Sequence, residues 1–362
     1  MLHIILGTRA QIIKMAPVMK ELKDRGIPYN FIFLAQHKET MNEIMEQFEI
    51  KKPDIVIGDL GKDITHVLDM IFWSLRVLAY SFANKKKIFK NDRDGVVLIH
   101  GDAPPLFLGG AIAKMQGLKV AQIEGGLRSF NFLRPFPEEL IRVLASKCGL
   151  IDIFFCQNEK ALENAKKYKK TAYCTRFNTM LDGLRIAKKK SETVQPPPYE
   201  DKYALVTIHR FETISRRKNL TRVVDHIIEI SKRIRILFIL HPPTRAALKK
   251  FGLYEALDNM GNCELLPRLG FFQFNTVFRN CEFIISDGGS NQEESHYMGI
   301  PCLLFRNETE RQEGLGKNVV LSGFDKDVIN NFVNEYEKYR TEPISDEESP
   351  TDFIIRKLET FY

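Results

Sequence analysis

Short runs of apolar, largely β-branched or aromatic residues recur along the chain at 3–6, 31–34, 54–57, 96–100, 119–123, 152–156, 203–208, 236–240, 281–286, 301–305 and 318–322. Between them lie segments with apolar residues three and four positions apart, such as IIKMAPVMKELKDRG (12–26) and NLTRVVDHIIEISKRI (219–234). A strand that is apolar at every position has no face to give to water. Alternated with amphipathic helices, such strands require parallel sheets covered on both sides.

The alternation breaks once, at SETVQPPPYEDKY (191–203), where three prolines stand among polar residues and read as a linker. The expected fold class is therefore α/β, with two Rossmann-like parallel-sheet domains facing a cleft. The expected boundaries are 1–180 for an N-terminal domain with the chemistry, 181–345 for a C-terminal nucleotide-binding domain, and 346–362 for a final helix packing back across them. A length of 362 residues suits two domains of ordinary size.

In open parallel sheets ligands bind beyond the carboxyl ends of the strands, so the polar residues that follow each run carry the functional information. LGTRAQIIK (6–14) gives a glycine turn with Arg9 and Lys14 near a helix start, an anion site or an ordinary turn. LIHGDAPP (98–105) puts Asp102 where it serves as an N-cap or as an acid in the cleft. In AQIEGGLRS (121–129) Glu124 closes an apolar strand, and in RPFPEELIR (134–142) Glu138 and Glu139 open a helix, where acids also suit the macrodipole. VTIHRFE (206–212) and ILHPPT (239–244) place His209 and His241 directly after strands.

The run SDGGSNQEE (286–294) combines a glycine turn with a helix start. Unblocked amides there donate to diphosphate oxygens, with Gly288 and Gly289 permitting close approach. A carboxylate further into the helix, Glu293, is placed to accept from ribose hydroxyls.

Composition narrows the field. Six cysteines at irregular spacings, without a CxxC pair, indicate neither a disulfide framework nor a zinc site, and fit a reducing cytoplasm. The histidines show no HxxH or HExxH spacing, so no metal is expected and no cofactor is implied. The net charge of +7 comes from short, scattered basic runs without a recognition-helix pattern, which argues against nucleic acid. The N-terminus does not read as a signal peptide, and no segment reaches the roughly 18 apolar residues of a membrane span.

Taken in order, GTR with KMAP, AQH (35–37), HGD (100–102), IEGGLRS (123–129), PFPEE (135–139), IHR (208–210), DGGSNQEE (287–294) and TER (309–311) resemble the UDP-N-acetylglucosamine 2-epimerases, roughly from Met1 to Leu321. The resemblance implies the GT-B architecture, a UDP-sugar substrate and a homodimer. It also implies a catalytic group of Asp102, Glu124, Glu138 and His209. Gly288, Gly289 and Ser290 would hold the diphosphate and Glu293 the ribose. Arg9, Lys14 and Arg311 would be further contacts, and Phe274 would pack near the uracil.

The implied route removes UDP from C1 and a proton from C2 to give a glycal, then adds UDP back with protonation on the other face. Cleft carboxylates stabilise the oxocarbenium character, and two groups of different acidity serve the two faces. Which acid serves which face is open. A hydrolysing relative that releases UDP, a GT-B glycosyltransferase and a sugar-nucleotide sensor are the alternatives. The chain departs from the family pattern at GTRAQ, GDAPP, DGGS and FNT (177–179), beside the catalytic positions without removing any. DITHVLDMIF (63–72) lacks the arginine that serves regulation in bacterial members, so that regulation is not expected.

Overall fold

The computed structural model describes residues 1–35, 41–61, 67–131, 138–191, 201–345 and 347–361. The proline run of 191–203 therefore lies largely outside the described residues, as do Gln36 and His37 of AQH, the first half of DITHVLDMIF and the PFP of PFPEE.

The chain forms two compact units, Met1–Ile186 with Glu348–Tyr362, and Ala187–Glu347. In the first, β1 (Leu2–Leu6), β2 (Tyr29–Leu34), β3 (Ile55–Ile57), β4 (Val96–His100), β5 (Lys119–Ile123), β6 (Ile153–Cys156) and β7 (Thr171–Cys174) make one sheet. Its order is β3-β2-β1-β4-β5-β6-β7. In the second, β8 (Tyr203–Thr207), β9 (Arg235–Leu240), β10 (Cys263–Pro267), β11 (Phe283–Ser286), β12 (Cys302–Leu304) and β13 (Val319–Leu321) follow the order β10-β9-β8-β11-β12-β13. Every pairing within both sheets is parallel. The order reverses beside β1 in the first sheet and beside β8 in the second, which are the places where such sheets bind ligands.

The central strands β1, β4, β8 and β11 are buried at every position, as the uninterrupted apolar runs require. Each unit has its own core, around Ile5, Ile99 and Phe154 in one and around Val206, Phe238 and Ile285 in the other. Two strands, β7 and β10, carry no strong run and were not expected. Both are edge strands, and most of their positions are only partly buried.

Two local devices fix the first unit. Thr8 caps the helix Arg9–Asp24 by accepting from the Gln11 amide, and the Gln11 side chain accepts from the Thr8 and Gly7 amides. The Gln11 amide nitrogen then donates to the His100 carbonyl at 2.8 Å, so the first turn is tied to the end of β4. The last helix, Pro350–Leu358, docks on the same unit. The Ser349 hydroxyl and the Thr351 amide both donate to Asp182, and Arg25 pairs with Asp352 at 2.5 Å.

Candidate active site

In the first unit the acids follow adjacent strands. Asp102 lies two residues beyond β4 and Glu124 one residue beyond β5, with His100 directly opposite Ile123 in the ladder. Glu124 adopts the left-handed region at φ 61°, unusual for a residue with a side chain. The two glycines after it are required by packing. A Cβ on Gly125 would stand 2.8 Å from Phe154 Cδ1, and one on Gly126, at φ +79°, would stand 2.1 Å from the Ala161 carbonyl oxygen.

Glu124 is 6% exposed and Lys14 4% exposed. Lys14 Nζ donates to Glu124 Oε2 at 2.5 Å, and His100 Nε2 stands 3.3 Å from that same oxygen. A buried ion pair of this kind is weak evidence for stability, because desolvation offsets much of the attraction. It is better understood as a way of fixing where the carboxylate stands at the strand end.

Asp102 is half-buried and takes both Nε, at 2.9 Å, and Nη2 of Arg142 on one oxygen. Arg142 Nη1 also donates to Glu139 at 3.2 Å. Glu139 is fully buried and receives Arg128 Nε at 2.6 Å and the amides of Ser129 and Phe130 at 2.9 and 3.3 Å. Burial alone pushes its pKa up, yet the Ser129 amide and the Arg128 and Arg142 guanidiniums outweigh that and hold it below the usual carboxylate range. Glu138 is the first residue of the helix Glu138–Lys147 and half-buried. Of the two neighbouring acids, Glu139 anchors the loop and Arg142. Arg9 begins the helix after Thr8, and its Nε is buried without a hydrogen-bond partner among the described residues.

In the second unit the segment after β8 is fixed by Asp287. Fully buried, it accepts from the amides of His209 and Arg210 at 3.0 Å each. The imidazole of His209 stays exposed, with its ring centroid 5.0 Å from that of His241. Burial, and then the neighbouring His209, hold His241 down to about 4.

Gly288 caps the helix Gly289–Met298 without a side chain. A Cβ there would come within 2.6 Å of His209 Cε1, and a Cβ on Gly289 within 2.7 Å of Arg311 Nε. The Gly288 amide is taken by Ser286 Oγ at 3.0 Å, whereas the first amides of the helix itself, from Gly289 and the half-buried Ser290, lack intrahelical acceptors. That leaves an anion-binding helix start beside an exposed imidazole.

Glu293 is fully buried and paired with Arg311, and Glu294 accepts from Asn291 at 2.9 Å. The TER segment is pinned by Gln292, which accepts from Thr309 Oγ1 at 2.8 Å and donates to the Glu313 carbonyl at 2.9 Å. Phe274 is half-buried in the helix Phe271–Arg279 and packs edge-on against Phe278. The roles of Arg142 and Asp287 escaped the sequence reading. Arg142 shows only as a cation one turn after Glu138, and Asp287 looks like part of the phosphate turn.

Among the described residues no group of three or more His, Cys, Asp or Glu side chains is placed to hold a metal, and no helix is long and apolar enough to cross a membrane.

Comparison with known proteins identifies the family. Residues 20–351 match the model of the family described as UDP-N-acetylglucosamine 2-epimerase. The UDP-N-acetylglucosamine 2-epimerase of Methanococcus maripaludis is 33% identical over 350 residues, spanning 92% of this chain and 90% of that protein. Among solved structures, the Methanocaldococcus jannaschii UDP-GlcNAc 2-epimerase in complex with UDP-GlcNAc and UDP matches with a TM-score of 0.82 at 26% identity, covering 99% of both chains. The Neisseria meningitidis enzyme bound to UDP-GlcNAc matches with a TM-score of 0.83 at 26% identity, again over 99% of both. With two parallel α/β sheets of the expected kind, and a family match across nearly its full length, the chain belongs to the UDP-N-acetylglucosamine 2-epimerase family.

Proposed function

We propose that this protein interconverts UDP-GlcNAc and UDP-ManNAc by eliminating UDP to a 2-acetamidoglucal and adding it back, without net hydrolysis. The observation that carries the reading is the pair of ion-paired acids on adjacent strand ends, Asp102 with Arg142 and Glu124 with Lys14. Such an arrangement suits a reaction that must stabilise a cationic sugar and also move a proton.

In this reading Glu124 exchanges the C2 proton, Asp102 faces the developing charge at C1, and Glu138 serves the other face. His209 and the amides of Gly289 and Ser290 hold the diphosphate, with Gly288 giving them room. Glu293, oriented by Arg311, takes the ribose, and Arg9 and Phe274 complete the contacts. UDP stays bound because it must be added back. The enzyme works as a cytoplasmic homodimer and feeds surface polysaccharide synthesis.

The test is incubation with UDP-GlcNAc in deuterated water, followed by NMR. The expected result is deuterium at C2 in intact UDP-sugar of both configurations. Accumulation of free UDP with free amino sugar would replace this reading with the hydrolysing reaction.

A further inference from the structure

Two buried histidines of the first unit behave differently. His3, fully buried, has both ring nitrogens engaged, with Nε2 at 3.0 Å from Asp92 and Nδ1 at 3.0 Å from Asn30. That is what a structural histidine in a core does. His100 is 3% exposed, yet neither of its ring nitrogens has a hydrogen-bond partner among the described residues. Its Nε2 is aimed instead at Glu124 Oε2, 3.3 Å away but outside hydrogen-bond geometry. Catalytic hydrogen bonds are commonly long or misaligned before substrate binds and tighten afterwards.

The backbone around this contact is clamped. Gln11 holds the His100 carbonyl, Gln122 holds the Gly101 carbonyl at 2.8 Å, and the Gly101 amide donates to the Ile123 carbonyl at 3.0 Å. The strand ends are fixed, so the 3.3 Å between the imidazole and the carboxylate is left to the two side chains.

We propose that His100 is a positioning residue for Glu124 and takes over the proton that Glu124 removes from the sugar. This rests on the reading that Glu124 is the C2 base. In the elimination the C2–H bond breaks and its electron pair forms the C1–C2 double bond. The C1–O pair leaves with UDP, and the proton forms an O–H bond on Glu124. That O–H then breaks as an N–H bond forms on His100 Nε2. An imidazole is intrinsically the stronger base of the two. The transfer restores a carboxylate beside Lys14 while the sugar is still unsaturated. The proton returns by this path only when the starting epimer re-forms. The other epimer takes its C2 proton from Glu138 on the opposite face, His100 then losing its proton to solvent and Glu138 regaining one from solvent.

The test compares His100→Gln, which keeps a donor near the position of Nε2 but cannot accept a proton, with His100→Asn and the unaltered enzyme. The readouts are kcat, KM, UDP affinity, thermal midpoint and the solvent deuterium isotope effect on kcat. The unaltered enzyme must first epimerise in deuterated water, and if it does not, the functional reading fails before His100 is at issue. Given turnover, both variants should lose about ten- to a hundredfold in kcat with KM and UDP affinity within about twofold, and the isotope effect should rise as proton movement becomes limiting. Full kcat in His100→Gln would show that a hydrogen bond suffices and would overturn the relay. Losses of midpoint and UDP affinity in step with kcat, in both variants, would make His100 a packing residue and overturn it as well.

Discussion

Gly288→Ala separates the two jobs that a glycine performs in this turn. Gly288 has φ −91° and ψ 132°, ordinary values for alanine, so the substitution brings no backbone strain. The new methyl group would stand 2.6 Å from His209 Cε1, 3.1 Å from His209 Nε2 and 2.9 Å from Asn291 Oδ1. Carbon atoms in unstrained contact sit about 3.5–4.0 Å apart, so the imidazole must retreat by about 1 Å. Because His209 is 37% exposed at its side chain, it has somewhere to go, while the buried Asn291, bonded to Ser286 and Glu294, must give slightly as well, so a small loss of stability accompanies the change. A displacement of about 1 Å in a group that holds the leaving diphosphate in place costs on the order of a hundredfold in rate, equivalent to about 2.7 kcal/mol. Steady-state kinetics with UDP-GlcNAc and a thermal melt should therefore show kcat down about a hundredfold with the midpoint only slightly lowered. Wild-type kcat in Gly288→Ala would refute the claim that this glycine exists to admit His209. Gly289→Ala is the matched control. Its methyl meets Arg311 Nε at 2.7 Å and should raise KM more than it lowers kcat.

Other consequences are as direct. Asp102→Asn and Glu124→Gln should each lower kcat by at least about a hundredfold with a modest loss of UDP affinity, and calorimetric loss of UDP binding with retained turnover would contradict their roles. Gly126→Ala forces a Cβ to 2.1 Å from the Ala161 carbonyl oxygen at φ +79°. Chemical denaturation should show a loss of several kcal/mol, on the order of that for other strained, overpacked sites. Glu139→Gln weakens the fully buried anchor of Arg128 and Arg142, so stability should fall by about 3–5 kcal/mol in urea titrations. His241 stays neutral in the folded chain down to about 4, whereas it protonates near 6.5 when exposed. The unfolded state thus binds the extra proton between those values, and stability falls as pH drops through that window. His241→Gln should flatten the slope there, measured as urea midpoint against pH.

What the sequence disclosed depended on whether a demand was local. Buried central strands need apolar residues at every position, so β1, β4, β8 and β11 stand out as continuous runs. TAYC and CELLP do not, because an edge strand is partly wet and packs against fewer neighbours. DGG is legible as a turn that lets a ligand approach, but the neighbours its glycines admit, His209 and Arg311, and the Ala161 carbonyl against Gly126 of EGG, are not. Pairings made across the fold leave no mark. Nothing in PEELIR says that Arg142 reaches Asp102, or that Glu139 and not Glu138 faces Arg128.

The carboxylates after the glycine turn illustrate the same divide. Placed in sequence beside a helix start suited to phosphate, Glu293 and Glu294 look like a repulsive choice. In the fold Glu293 is neutralised by Arg311, and Glu294 is turned onto the Asn291 amide. Arg311 can reach Glu293 past the turn because position 289 has no side chain, its Nε falling 2.7 Å from where a Cβ would be. The glycine pair therefore does more than expose amides. One glycine lets a histidine stand over the helix start, and the other lets an arginine cancel the charge behind it. The same two residues thus make the turn accept an anion despite the acids that follow.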